Sequence, residues 1–341
     1  MNGIIMSNQY GFVRGRQLEG TFPGDPGTGV WPTTSNRIMY GWGCVPEDAW
    51  PSSSPSPWPP WPEPIGIDEL AKGRRISCYH RVRTLQECKS ILASGRSFLA
   101  SLEITEQWFR APYGRIAPPR PSDAPAGSHV VAIESYEETK DEFKFWNSWG
   151  ADWGDQGYGY IPCRVFERIW EEGWRMRFTG HPAAPQDLDF PMYKANWGFT
   201  ERGGGAWHCC DLATQDDERV GWWFALQRDD SIEVEEFFVR PQFRREGHGR
   251  KLIEEILKLA VERQLPLKFW ISFADSDPSN LLFIQKLTGR LGLTLKPSGV
   301  RWAPLVASPG GKGLTLEELK YGPRPSARLR ARFPAQDFGA L

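Results

Sequence analysis

Two stretches of this 341-residue chain carry residues whose types and spacing could do chemistry. In one, the β-rich run EVEEFFV, residues 233–239, leads into RPQFRREGHGRKLIEEILKLAVE. A glycine-bearing turn between a strand and a helix exposes backbone N–H groups at the positive end of the helix dipole, a favourable place for pyrophosphate oxygens. Gly247 and Gly249 let the backbone approach such a ligand closely. The plainer reading of Arg244, Arg245 and Arg250 is a solvated basic turn. In the other stretch, residues 127–162, an apolar strand opens with His129, a polar hairpin follows, and a second strand delivers Asn147, eighteen residues on, into a Trp/Gly-rich turn. His208, Cys209 and Cys210 invite a zinc reading, but adjacent ligands cannot all reach one ion and no matching pair is nearby, so no metal is expected.

The turn after the first of these strands resembles the GNAT superfamily of acyl-CoA-dependent N-acyltransferases. Arg244, Gly247 and Gly249 reproduce its R-x-x-G-x-G signature, after a Val239-x-Pro241 strand end and before a helix. The resemblance covers about 195–305 and includes NLLFIQKLTGRLGL, similar to the family's closing helix and Gly-apolar strand. It implies acetyl-CoA or another acyl-CoA as cofactor. Phe238 and Val239 would offer backbone groups to pantetheine, and Arg244, Arg245, Glu246, Gly247, His248, Gly249 and Arg250 would cradle the pyrophosphate, with Asn280 beside the cofactor. Where many members keep a tyrosine to protonate the departing thiolate, this chain has Thr288, a poor acid at neutral pH. Glu235 and Glu233 are candidate bases; strand alternation sets them on one face and Glu236 on the other.

Residues 127–162 closely resemble the carboxyl half of the papain-like cysteine peptidases. The resemblance makes His129 the base for a thiol, Asn147 its orienter and Trp149 the cover that keeps water from their hydrogen bond. It extends upstream through GTGVWPTTSNRIMYGWGCVPEDAWP and covers about 1–178. In that family the cysteine lies about 130–150 residues earlier, and counting back from His129 lands at or before residue 1. No CGSCW-like sequence occurs, and Cys44, 85 residues before His129, sits in what resembles a later loop. Two readings stay open: His129 and Asn147 are remnants of a pseudo-peptidase, or they await a thiol from an amino-terminal fragment.

The elements that must position these residues follow from patterning. Seven prolines between Pro51 and Pro64 rule out a continuous helix or central strand there. Leu85, Cys88, Ile91 and Leu92 recur at helical spacing and Gly95 stops the pattern, predicting a helix over 84–94 and then a strand over 97–104. Beyond a turn-rich break, the chain alternates: strand 233–239, helix 249–264, strand 267–273, helix 278–291. The expected architecture is an α+β papain-like domain over 1–180, a linker over 181–194, an α/β GNAT-like domain with a mixed central sheet over 195–305, and a loosely ordered basic tail over 306–341. With 41 Lys+Arg against 42 Asp+Glu, no chain-wide field recruits nucleic acid or an anionic membrane, and no apolar run is long enough to span a bilayer. The six cysteines read as thiols and, with no secretory signal visible, a cytoplasmic address is expected.

The leading expectation is acyl-CoA-dependent N-acyl transfer, most simply acetyl transfer, to an amine-bearing small molecule, peptide or protein. The alternatives are a cysteine peptidase completed by another segment, and a non-catalytic binding protein with two degenerate enzyme folds. Losing the family's central helix would remove core as well as chemistry, so residues 1–178 either rebuild the lobe from their Trp- and Pro-rich loops or, as favoured here, bury the surface against a second copy, an upstream peptidase fragment or the GNAT-like domain.

Overall fold

Ser7 starts the first helix by accepting the Tyr10 N–H, and Pro32 opens the second at a position whose N–H has no intrahelical partner. These helices, α1 (Asn8–Leu18) and α2 (Pro32–Gly41), pack with α3 (Ile67–Lys72) around Tyr10, Val13, Ile38, Ile67 and Ala71, joined by Val45 and Trp50. The computed structural model describes residues 6–25, 27–52, 63–177, 199–201, 205–271, 293–297 and 303–309. The chain divides at residue 181 into two compact units.

After the helical cluster, the first unit is an antiparallel sheet of six strands: β1 (Cys78–Val82), β2 (Phe98–Thr105), β3 (Pro125–Glu137), β4 (Glu142–Trp146), β5 (Tyr158–Pro162) and β6 (Trp170–Arg177). Their order is β1-β6-β2-β3-β4-β5, with every neighbouring pair antiparallel. The predicted helix is α4 (Leu85–Ala93), held by a capping box in which Thr84 accepts the Glu87 N–H and Glu87 accepts the Thr84 N–H. Its Cys88 and Ile91 enter a core with Leu102, Ile133, Phe143, Phe145 and, from α5 (Cys163–Ile169), Val165 and Phe166. Helices segregated from an antiparallel sheet make this unit α+β, as expected.

The second unit is a mixed sheet of β7 (Phe199–Glu201), β8 (Gly205–Ala213), β9 (Arg219–Gln227), β10 (Ile232–Val239), β11 (Leu267–Ile271), β12 (Leu293–Pro297) and β13 (Ala303–Pro309). The order is β12-β13-β11-β10-β9-β8-β7. Among the described strands only β10 and β11 are parallel, and α6 (His248–Arg263) is the crossover such a pair requires. Leu252, Ile253 and Ile256 of α6 pack on Cys210, Trp223 and Val234 of the sheet. Close approach depends on Gly221 in β9, where a Cβ would lie 2.7 Å from the Phe238 carbonyl oxygen and 3.0 Å from Leu252 Cδ1.

Two expectations change here. A β-bulge interrupts β10 between Val234 and Glu236: Val234 pairs with Ala225 and Glu236 with Phe224, leaving Glu235 as the extra residue. Alternation therefore restarts, and Glu233 shares its face with Glu236 and Phe238 rather than with Glu235. The parallel ladder to β11 covers Ile232–Val234 and stops where the bulge begins. The second change is at the carboxyl end, where β13 continues the sheet to Pro309, past the expected start of the tail at 306. The linker, Asn280, Thr288, the helix over 278–291, the tail beyond 309 and most of the proline-rich run lie outside the described residues.

Candidate functional site

In the first unit, the β3–β4 register brings His129 and Asn147 together. Ala132 pairs with Trp146, so Asn147, directly after β4, comes alongside the His129 end of β3. Its own N–H donates to the Gly157 carbonyl at 2.9 Å, which pins the backbone of the turn. Asn147 Oδ1 lies 2.8 Å from His129 Nε2. An amide oxygen only accepts, so Nε2 carries the proton and Nδ1 is left as the basic nitrogen. Trp149 stacks on the imidazole with ring centroids 4.6 Å apart, and Phe109 also stacks on Trp149 at 5.0 Å. Phe109 was not legible in the sequence, because it reaches the turn from a separate 3-10 segment with no periodic signal. Trp153 meets Trp149 edge-on and donates its indole N–H to the Trp108 carbonyl. Burial pushes the His129 pKa below its ordinary value, and the Asn147 hydrogen bond offsets part of the shift.

The cysteines with resolved shifts have the opposite of nucleophile character. Burial raises the Cys44, Cys88 and Cys163 thiols, with Cys163 pushed up to about 12. The Cys44 thiol also donates to the Arg74 carbonyl. Such thiols hold their protons at neutral pH.

In the second unit the turn after β10 is fixed from below before it can present anything to a ligand. Arg240, at the strand end, donates through Nη1 to the Arg219 carbonyl at 3.0 Å and pairs with Glu218 at 3.1 Å. Arg219 in turn is fully buried beside the fully buried Asp211, 3.4 Å away. A 3-10 turn over Pro241–Phe243 follows, and Arg244 Nε then donates back to the Val239 carbonyl at 3.0 Å. Arg244 thus shapes the loop, whereas Arg245, Glu246 and Gly247 are exposed. Arg245 and Gly247 both have positive φ, 71° and 83°, and Gly247 is the residue from which α6 starts. Gly249 and Arg250 follow in its first turn, where Arg250 pairs with Glu254 at 2.8 Å.

Two features of this turn fit a phosphate-bearing cofactor. No side chain caps the amino end of α6. Its first turn holds no acidic residue. The Nδ1 atom of His248 is buried with no hydrogen-bond partner, while its Nε2 meets Glu246 Oε2 at 3.1 Å. An uncapped, basic helix start offers N–H groups and positive dipole to an anion. Phe238 is buried against Trp222, with Val239 partly buried beside it at the strand end. Among the described residues no group of three or more His, Cys, Asp or Glu could hold a metal ion, and no helix is long and apolar enough to cross a membrane.

Residues 166–289 match the model of the acetyltransferase (GNAT) family. The matched segment begins within α5 and β6, which belong to the first sheet, and ends before β12 and β13 of the second. Solved structures similar to this chain include xylellain, a cysteine protease from Xylella fastidiosa, at 23% identity, covering 53% of this chain and 72% of that one with a TM-score of 0.48. A structure from a study of the mite allergens Blo t 1 and Der p 1 is 17% identical, covering 52% and 57% at a TM-score of 0.41. Procathepsin B S9 from Trypanosoma congolense is 16% identical, covering 52% and 62% at a TM-score of 0.39. The chain therefore spans less than two thirds of the length of the latter two. No curated protein matches it.

Proposed function

We propose that the second unit catalyses acyl transfer from acetyl-CoA, or another acyl-CoA, to an amine. The observation that carries this reading is the β10–turn–α6 junction, where glycine at positive φ opens an uncapped helix start free of acidic residues. The bound cofactor would supply the acyl group as a thioester. The chain's part is to hold it: Gly247, His248, Gly249 and Arg250 face the pyrophosphate with their N–H groups, Arg245 adds charge, and Arg244 keeps the loop closed on the strand end. Phe238 and Val239 carry the backbone along which the pantetheine arm would lie. Asn280 is kept as a residue beside the cofactor. For the amine to attack, a proton must leave it, and Glu233 and Glu236 offer carboxylates on one face of β10, with Glu235 at the bulge between them. The acceptor class is an amine-bearing small molecule, peptide or protein. Incubating the full chain with acetyl-CoA and a panel of amines, and following free thiol release, tests the reading; no amine-dependent release from any acceptor class would count against it.

A second reading, peptide hydrolysis by the first unit with its thiol supplied by a separate amino-terminal segment, is supported by the oriented His129. Its imidazole is set as a base by Asn147 and covered by Trp149, which is the arrangement a thiolate needs beside it. Peptide-epoxide labelling that appears only when a cysteine-bearing amino-terminal segment is added to the chain, and is lost in His129→Ala, would favour it.

A further inference from the structure

We infer that Arg240 is a positioning residue of the cofactor site: without meeting the ligand, it holds the 241–247 loop in its binding conformation, so that loosening its grip weakens acyl-CoA binding. The inference rests on the acyl-CoA reading of the β10–α6 turn and concerns how the loop is held before the cofactor arrives.

Arg240 directly follows β10 and is 5% exposed, so its guanidinium is turned into the protein and away from solvent. All three of its nitrogens are committed. Nη1 donates to the Arg219 carbonyl at 3.0 Å and pairs with Glu218 Oε1 at 3.1 Å. The side-chain amide of Gln242 faces the guanidinium, and only its oxygen can face donors, so it accepts from Nη2 at 2.9 Å and from Nε at 3.3 Å. The Phe243 ring centroid lies 5.7 Å from Arg240 Cζ, and the Phe243 N–H donates to the Arg240 carbonyl at 3.0 Å. One side chain thus ties three segments together: the start of β9 through Arg219, the β8–β9 turn through Glu218, and the loop through Gln242 and Phe243. A lysine, with a single nitrogen, cannot make this fork.

The sheet side of the clamp is firmly built. The Glu218 N–H donates to Thr214 Oγ1 at 3.1 Å and the Thr214 N–H to the Glu218 carbonyl at 2.9 Å, which closes the β8–β9 turn on itself. The Arg240 N–H donates to the Val220 carbonyl at 2.9 Å. The loop side is the part that needs holding. Pro241, Gln242, Arg245, Glu246 and Gly247 are exposed, and Arg245 has a φ of 71°, a left-handed conformation that a residue other than glycine keeps only where its surroundings impose it. Phe243 carries the constraint onward, since its ring meets His248 edge-on at the start of α6 with centroids 6.3 Å apart. A loop already set in its binding conformation loses less conformational freedom when the ligand arrives, which is how a residue that never touches the ligand raises affinity.

The test works from the exposed end of the clamp. Gln242→Met keeps the length of the side chain and removes its acceptor, whereas Gln242→Glu keeps an acceptor against the guanidinium. The Phe243 and Arg244 amides are both bonded within the turn, at 3.0 and 3.2 Å, so their hydrogen exchange in the ligand-free full chain reports loop opening. Exchange should quicken about fivefold or more in Gln242→Met and in Arg240→Lys, and stay at or below the wild-type rate in Gln242→Glu. Isothermal titration with acetyl-CoA should show an affinity loss of about fivefold in Gln242→Met with an unchanged urea midpoint. Adding Gln242→Met to Arg240→Lys should cost no further affinity, because both changes undo one clamp. Equal affinity in wild type and Gln242→Met, additive losses in the double variant, or exchange as fast in Gln242→Glu as in Gln242→Met would overturn the inference and leave the acyl-CoA reading standing. Absence of acetyl-CoA binding by the wild type would overturn both.

Discussion

His129 shows how much a single contact decides. Its pKa is lowered first by burial, and the indole of Trp149 stacks on the ring 4.6 Å away. Trp149→Ala should therefore raise the His129 pKa toward the free value of about 6.5, measured by NMR titration of the imidazole. The sign also fixes a stability effect. A histidine with a lowered folded-state pKa binds fewer protons folded than unfolded, so its contribution is fully present above the unfolded value and is lost as pH falls below about 6.5 toward the folded one. His80, pushed well below its ordinary value by burial and by Arg175, Arg177 and Arg83, acts in the same direction. Stability to urea should thus decline over this acid range, and less so in Trp149→Ala than in wild type; an unchanged or lower His129 pKa in the variant would show that the ring is not buried by the indole. These residues were legible in the sequence because the His–Asn spacing and the Trp/Gly-rich turn are specific. Their geometry was not, since Phe109 arrives from twenty residues upstream of His129.

The elements follow their periodicities where one face is buried and depart from them where the backbone does something local. Residues 85–93 repeat apolar side chains at helical spacing and carry a Thr84–Glu87 capping box, so the helix was readable to within a residue. The bulge in β10 was not. An extra residue leaves no mark on a run such as EVEEFFV, where glutamates stand both before and after it, and the facing of Glu235 was consequently misjudged. That difference can be measured. If the proton-accepting carboxylate lies on the face shared by Glu233, Glu236 and Phe238, Glu236→Gln should lower kcat/KM for amine acylation by about 10²-fold or more and remove the acidic limb of its pH profile, whereas Glu235→Gln should have a smaller effect. A larger loss in Glu235→Gln would return the role to the bulged residue. The close packing of α6 on the sheet is a second test at this scale. Gly221→Ala forces a methyl group against the Phe238 carbonyl and Leu252, and should cost about 1–3 kcal/mol in chemical denaturation; a neutral result would mean that α6 can move away from β9 at little cost.

At the scale of the molecule, two unlike architectures share one chain: an antiparallel α+β unit and a mixed sheet in which, among the described strands, one pair is parallel. Composition announced two domains and the strand–helix alternation announced the second of them, but neither could give the order of strands, because that order depends on pairings between residues far apart in sequence. In the second unit, the parallel pair, its helical crossover and the glycine-bearing turn occur together at the carboxyl end of one strand, the position from which open α/β sheets hold their ligands. If the proposed function holds, this turn binds the pyrophosphate of an acyl-CoA. Isothermal titration of the full chain with acetyl-CoA measures it most directly, with Gly247→Val as the comparison, since a β-branched residue at a φ of 83° costs roughly 1–2 kcal/mol and distorts the helix start. The wild type should bind saturably and one-to-one, and the variant should lose about tenfold or more in affinity. Equal affinity in the two proteins, or no heat of binding at millimolar acetyl-CoA, would contradict it.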